Sequence, residues 1–371
     1  MISWRETRPF DYILLVVSIA LTVYGLVLIY SGSASQAAAD VPVISGPVAR
    51  QLGFAIVGLA ACIIVSRIDY KFIAQGSTGM YLGLIAALVF VLTLGTQIYG
   101  SRRWIDIAGT HVQPSEIGKL IVILFLAKYL SDRQAQIREL PVFLTSLAIA
   151  AVPALLVFAE PDLGSAMIFL LIWLGMVVMA GCDMRHVLSS IGMVVALMPF
   201  ALIAVVTDYQ RERISLFLDP TRDELGAGFN TLQAEISVGS GGWFGKGLTQ
   251  GSQTQLDYLR TQTTDYIFSV LGEELGFIGA MILFSLFILL LMRGLRAAAI
   301  SQDGFGRLVA VGVVIFILFQ AFINIGVNIR LFPVTGIPLP FISQGGSSLI
   351  TVFIAIGLLE SVIVRQRQVS G

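Results

Sequence analysis

Ten stretches of this chain are long, apolar and nearly free of charge, and that feature alone decides what it can fold into. They cover approximately 12–30, 51–66, 80–98, 117–130, 142–159, 163–181, 187–207, 267–292, 308–329 and 347–364. A helix needs roughly 20 apolar residues to cross about 30 Å of hydrocarbon, and most of the runs reach that length. Charged residues are only 12% of the 371 and hydrophobic residues 56%. A soluble domain carries about 25% charged residues, so the surplus apolar surface has to face lipid. The expected fold is an all-α, polytopic transmembrane helical bundle of about ten spans, forming one membrane domain over 1–371. The fourth run contains Lys119 and Lys128 and still qualifies, because lysine can snorkel from either end. A net charge of zero argues against nucleic acid as a partner. Cys62 and Cys182 fall in or beside apolar runs and read as small packed residues rather than a disulfide.

The basic residues give the bundle a direction. One set of connections carries Arg5 and Arg8, Arg67 and Lys71, Arg133 and Arg138, Arg185, then Arg293, Arg296 and Arg307, then Arg365 and Arg367. By the positive-inside rule that set faces the cytoplasm, and an even number of spans places both termini there. The opposite set includes the nearly uncharged 31–50 stretch, a short 160–162 turn, and one segment, 208–266, far longer than a usual connection. That segment carries Arg222, Lys246 and Arg260, and it mixes Gly239, Gly241, Gly242, Gly245 and Gly247 with Phe217, Leu232, Ile236 and Trp243. It is too apolar for a disordered tether, so a large, partly structured extracellular loop is expected.

Charges close to a membrane are costly, and four polar stretches gather on the outer side. In Ser101-Arg102-Arg103-Trp104-Ile105, two guanidiniums beside an indole suit an anionic head group; they suit an interfacial anchor equally. Gln113-Pro114-Ser115-Glu116 reads as a helix start, and Lys119 follows on the same face as Glu116. Arg211 and Arg213 offer the same phosphate chemistry, with a solvated helix end as the alternative. Asp265 lies where the long loop meets the eighth span. There it can cap the helix or act as a general base at the wet rim of a cavity. Glu273 and Glu274 come about 12–14 Å further along that helix, where at least one must be paired or face a polar cavity. The fourth stretch runs from Asn324 to Ser348. Pro333, Pro338 and Pro340 break any helix there, and irregular backbone at membrane depth needs protein or a watery cavity around it. Ser343 and Ser347 are its candidate cavity residues. His111 and His186 are isolated, and no set of histidines and cysteines suggests zinc.

Taken together, these stretches resemble the SEDS family, the shape, elongation, division and sporulation proteins, over nearly the whole chain. The resemblance is carried by the Asn324–Ser348 block with its Pro-x-Thr-Gly-x-Pro-Leu-Pro-Phe-x-Ser-x-Gly-Gly-Ser-Ser pattern and by Arg103-Trp104-Ile105 with Gln113-Pro114-Ser115-Glu116. It also rests on Arg211-Glu212-Arg213-Ile214 with Phe217-Leu218-Asp219-Pro220, and on Thr264-Asp265-Tyr266-Ile267-Phe268 with Gly272-Glu273-Glu274-Leu275-Gly276. The loop motif from Gly245 to Gln255 is similar to the rod-shape branch of the family rather than the division branch. Thr263 stands where relatives often carry histidine, which removes a histidine-assisted base from consideration.

The resemblance implies a peptidoglycan glycosyltransferase that polymerises lipid II during cell elongation, in the bacterial cytoplasmic membrane with its active site facing outside. Implied partners are lipid II and undecaprenyl-linked glycan, a class B penicillin-binding transpeptidase, and other elongation-complex membrane proteins. The family's essential aspartate maps to Asp265, the expected catalytic base. A diphosphate leaving group needs charge stabilisation; Arg102, Arg103, Arg211 and Arg213 are the candidates, with Lys119 and Arg330 further out and Trp104 positioning substrate. Glu116, Glu273, Glu274, Ser343 and Ser347 are expected to support the cavity. No cofactor is firmly expected, and a divalent cation, Mg²⁺ or Mn²⁺, is left open. Two rival classes stand beside this reading: a lipid II flippase, which ten spans and a broken segment also suit, and a non-catalytic scaffold that recruits the transpeptidase. A channel fits less well, with no carbonyl-filter signature.

Overall fold

The computed structural model describes residues 10–34, 46–98, 101–107, 110–204, 208–220, 223, 226–256, 258–259 and 261–366. Arg5, Arg8, Arg222, Arg260 and Arg367 lie outside the described residues. The chain is a multi-pass membrane protein built from helices α1 (Tyr12–Ala34), α2 (Pro47–Arg67), α3 (Tyr70–Leu94), α4 (Pro114–Asp132), α5 (Leu140–Ala159), α6 (Leu163–Ala180) and α7 (Met184–Ala204). Three shorter helices, α8 (Asp208–Leu218), α9 (Ala227–Ser240) and α10 (Ser252–Gln255), precede α11 (Ile267–Ile300), α12 (Gly304–Asn328) and α13 (Gly346–Gln366). Among the described residues, α1, α2, α3, α5, α6, α11, α12 and α13 are the eight helices long and apolar enough to cross a membrane.

The other two apolar runs are helical but differ in kind. α4 packs against α3, α5, α6, α12 and α13, so it is a central helix whose charges face protein instead of lipid. Lys119 is fully buried there. Snorkelling therefore does not explain it. α7 runs over Met184–Ala204, 21 residues, and is apolar over Met184–Ala196, where its side chains are described.

Local chemistry sets the boundaries. Pro47, Pro114 and Pro141 sit in the first turns of α2, α4 and α5, where a missing N–H costs nothing. Asp69, Asp162 and Asp303 cap α3, α6 and α12, accepting from the amides of Lys71, Ser165 and Gly306. The Asp69 cap starts α3 ten residues before the apolar run expected at 80–98. α3 ends at Leu94 because the chain turns into β1 (Thr96–Ile98), β2 (Ser101–Ile107) and β3 (Thr110–Val112). These strands form a small antiparallel sheet in the order β1-β2-β3, a departure from a purely helical chain.

Helix contacts depend on small residues, as they do in lipid. A Cβ on Gly357 of α13 would lie 2.7 Å from the Cys62 carbonyl of α2, and one on Gly175 of α6 2.2 Å from Ile315 of α12. Cys62 and Cys182 are both buried and free. The first and last helices share one end of the bundle. The Asp11 amide donates to Glu360 of α13, Arg293 of α11 pairs with Asp11, and Arg365 reaches Asp69.

At the other end, the long connection is a folded layer. α9 packs on α11 and α12, and α8 on α9. α11 is 34 residues long, about 51 Å at 1.5 Å per residue, well beyond the roughly 30 Å of hydrocarbon. It is interrupted at Gly276, whose φ of 63° and ψ of −158° suit only glycine. Segment 242–247 takes up the backbone groups freed by this break. Lys246 and Gly247 amides donate to the Glu273 and Glu274 carbonyls at 2.9 and 3.0 Å, and Phe277 and Ile278 amides donate to the Gly242 and Trp243 carbonyls at 2.9 and 3.1 Å.

Candidate functional site

A cavity of about 840 Å³ opens at the long-connection end of the bundle. Asp265 lines it with Arg103, Trp104, Arg213, His111, Gln113, Glu116 and Ser347. Five separate parts of the sequence thus converge: the sheet after α3, the start of α4, α8, the turn before α11 and the start of α13.

Asp265 belongs to a turn with little backbone freedom. The amides of Thr264, Asp265 and Tyr266 all donate to the Thr261 carbonyl, at 3.1, 3.2 and 3.4 Å. The irregular segment between α12 and α13 is zipped onto this turn. Gln344 N donates to the Thr263 carbonyl at 2.8 Å, Thr263 Oγ1 to Gln344 Oε1 at 2.8 Å, and Ser343 Oγ to the Thr264 carbonyl at 2.6 Å. Thr263 therefore has a structural partner in Gln344. Asp265 makes no side-chain cap on α11, whose N-cap is Tyr266.

The electrostatics follow from this placement. Withdrawal from solvent pushes the Asp265 carboxyl above the ordinary carboxylate range; Arg213 and then Arg103 pull it back, and Asp162 adds repulsion. Arg213 Nη1 is anchored on the Val334 carbonyl at 2.7 Å. Arg103 is held 3.6 Å from Asp162, which also accepts from Gln113 Nε2 at 3.0 Å and Ser165 Oγ at 2.9 Å. Behind them Glu160 is buried. Burial and Asp162 push its carboxyl up to about 8 against the opposing pull of Arg103. Trp104 meets His111 edge to face, with ring centroids 6.4 Å apart.

Several candidates fall elsewhere. Arg102 lies on β2, but its side chain is outside the described residues. Arg211 is exposed and is not part of the cavity wall. Lys119 lies beneath the cavity, donating to Glu116 Oε1 at 2.6 Å and Gln320 Oε1 at 3.0 Å; a fully buried ammonium already so paired is not placed to receive a diphosphate. Glu116 lines the cavity, and its Oε2 is buried without a hydrogen-bond partner. Glu273 and Glu274 do not line the cavity. They hold the long connection. Glu273 accepts from Lys246, Ser252, Gln253 and Thr254, and Glu274 accepts from Ser31 Oγ and Gln255 Nε2. Ser343 serves the turn described above. Ser347 Oγ accepts from Gln113 N at 3.2 Å on the wall. Arg330 pairs with Glu235 of α9 at 3.3 Å.

The structure adds Arg50, Gln51 and Phe54 of α2 to the wall. Arg50 was legible: it is the one charge at the outer end of the second span, within a stretch read as nearly uncharged. Among the described residues, no group of three or more histidine, cysteine, aspartate or glutamate side chains could hold a metal ion.

Comparison with known proteins agrees over the full length. The chain is 36% identical to the probable peptidoglycan glycosyltransferase FtsW of Geobacter metallireducens, covering 99% of this chain and 98% of that protein. It is also 36% identical to the peptidoglycan glycosyltransferase MrdB of Escherichia coli, covering 97% and 95%. Among solved structures, it is similar to a chain of a peptidoglycan synthase complex studied for its coordination of polymerization and crosslinking. That match has a TM-score of 0.82 and 28% identity, over 98% of this chain and 100% of that chain. It is similar too to the crystal structure of the rod shape determining protein RodA of Thermus thermophilus, with a TM-score of 0.71 and 27% identity, over 98% and 99%. The family model for FtsW, RodA and SpoVE, described as cell cycle proteins, matches residues 11–368, and the chain belongs to that family.

Proposed function

We infer that this protein is a peptidoglycan glycosyltransferase that polymerises lipid II, with Asp265 as its general base. The observation that carries this reading is the single cavity in which Asp265 faces Arg103 and Arg213. It joins a base to anion-binding groups, and those are the two demands of glycosyl transfer from a diphosphate. The acceptor sugar's 4-hydroxyl gives its proton to the Asp265 carboxylate as its oxygen attacks the donor's anomeric carbon. The bond from that carbon to the diphosphate breaks, and its electron pair leaves with the phosphate oxygen. Attack opposite the leaving group inverts the centre and makes a β-1,4 bond. Arg103, Arg213 and Arg50, which share the cavity, meet the charge that builds on the diphosphate. Each guanidinium can grip phosphate oxygens in a fork. Arg102 and Arg211, candidates for the same task, sit close in sequence to two of these, and Trp104 stacks at head-group level.

The residues present fit a divalent cation in the way Mg²⁺ or Mn²⁺ usually binds, through one or two carboxylates plus substrate phosphates. Asp265 and the free oxygen of Glu116 are the cavity carboxylates that would share it, and it would supply further charge neutralisation at the diphosphate. The positive-inside pattern supports placing the termini in the cytoplasm and the cavity, with the 208–266 segment around it, at the outer face. The likeness to a synthase-complex chain supports a crosslinking partner, which the family resemblance makes a class B penicillin-binding protein. Relatives named for both branches match at equal identity; the elongation role rests on the Gly245–Gln255 motif.

The test is polymerisation of purified lipid II by the purified protein, alone and with its transpeptidase, beside a flipping assay in liposomes. Glycan strands without flipping support the reading. Flipping without strands would replace it with the transporter.

A further inference from the structure

Gln320, Asn324 and Asn328 sit at four-residue intervals on α12, a spacing that aligns them on one face of the helix. All three are buried, in a helix whose other buried residues are almost all apolar or glycine. Amides there are costly unless they are hydrogen-bonded. Each spends a donor on a carbonyl of the two irregular segments beside the cavity, and Asn328 Nδ2 also donates to the Asn324 carbonyl at 2.9 Å. Gln320 Nε2 donates to the Pro338 carbonyl at 3.0 Å and Asn324 Nδ2 to the Ile337 carbonyl at 2.8 Å. Asn324 and Asn328 Nδ2 also converge on one atom, the Asp265 carbonyl oxygen, at 3.3 and 2.8 Å.

Asn328 does a second job. Its Oδ1 accepts from the Ser269 amide at 2.9 Å and the Ser269 hydroxyl at 2.8 Å. Ser269 is the third residue of α11, and Tyr266 offers no side-chain cap. Asn328 thus supplies, from a neighbouring helix, the acceptor that an N-cap usually supplies. The peptide before Asp265 is fixed as well, because Ser343 Oγ donates to the Thr264 carbonyl. Both peptide planes that flank the Asp265 Cα are therefore anchored to other elements, which leaves the side-chain torsions as its principal freedom.

We propose that Asn324 and Asn328 are positioning residues for the glycosyl transfer, an amide clamp on the Asp265 carbonyl that aims its carboxylate at the acceptor hydroxyl. The proposal rests on the reading of Asp265 as the base. One donor satisfies a buried carbonyl, and a second on the same oxygen fixes its direction as well. A reacting group misplaced by about 1 Å can lose roughly a hundredfold in rate.

The test replaces the donor while keeping shape and cap. Asn328→Asp retains an acceptor for Ser269 and, at pH values where the new carboxyl is ionised, has no donor for the Asp265 carbonyl. The protein is purified in detergent, its thermal unfolding is compared with wild type, and kcat and KM for lipid II are measured across pH. The clamp predicts kcat down roughly 10- to 100-fold, KM within about twofold, and a displaced acid limb of the pH profile. If Asn328→Asp does not fold, Asn324→Ser carries the same measurement, since it removes the other donor. A folded variant with wild-type kcat and acid limb would overturn the clamp. So would kcat, KM and unfolding temperature all deteriorating together, which is a structural effect. Asp265→Asn is run in parallel: activity there refutes the base itself, whereas an inactive Asp265→Asn beside normal asparagine variants refutes the clamp alone.

Discussion

Glu273→Ala should detach the 241–255 segment while leaving the bundle folded. The Glu273 carboxylate is fully buried. It accepts from Lys246 Nζ at 2.8 Å, Ser252 Oγ at 3.2 Å, Gln253 N at 2.9 Å, and Thr254 N and Oγ1 at 3.1 and 2.9 Å. Hydrogen bonds to a charged group contribute about 1.5–3 kcal/mol each, but their sum overshoots because burying the carboxylate is itself costly. Losing the carboxylate strands the Gln253 amide and the Thr254 amide and hydroxyl at about 1–3 kcal/mol each, and the lower part of that total, about 3–5 kcal/mol, is the appropriate scale. At 1.4 kcal/mol per tenfold, amide protection over Gly245–Gln255 should fall roughly 100- to 4,000-fold by hydrogen exchange, with new proteolytic cleavage at Lys246. Lys246→Ala should loosen the segment less, because the Ser252, Gln253 and Thr254 donors stay on the carboxylate. Unchanged protection in Glu273→Ala, accompanied by collapse of polymerisation, would refute the assignment and return Glu273 to the chemistry.

Lys119→Ala should destabilise by about 3–5 kcal/mol by stranding Glu116, while Glu116→Gln with Lys119→Met should recover most of it; denaturant unfolding in detergent reads both. Glu160 is held protonated in the folded state to about pH 8, so the fold binds a proton that the unfolded chain loses near its ordinary value of 4.5. Its contribution to stability is present below pH 4.5 and is lost as pH rises towards 8. Glu160→Gln should flatten the decline of unfolding temperature over that window. Arg213→Ala should lower lipid II turnover more than it lowers stability, as removal of an oxyanion-stabilising donor does, by roughly 10²-fold or more; equal rates in folded protein would return Arg213 to an anchoring role.

The sequence reveals what period and solvation decide. Apolar runs locate the helices, and prolines and aspartates start them where chemistry requires. Asp265, Arg103 and Arg213 could be named because charge beside a membrane must have a use, and they share one cavity. Partnership was not legible. Glu273 meets residues 19 to 27 positions away, through a helix break that only the folded 242–247 segment completes. Lys119 looked like a membrane-edge cation because nothing local shows that α4 is central. The β1–β3 sheet was hidden in a short polar connection without strand alternation. Gln320 is only one amide in a helical run; its purpose lies in carbonyls that proline-broken backbone leaves unpaired.

The most direct measurement of the central claim is lipid II turnover by Asp265→Asn, purified with its transpeptidase partner, alongside binding of lipid II to the same protein. The account predicts normal unfolding temperature, retained binding and no glycan strands, because the amide fits the cavity and cannot take the proton. Strands at near wild-type rate from a folded Asp265→Asn protein would contradict it.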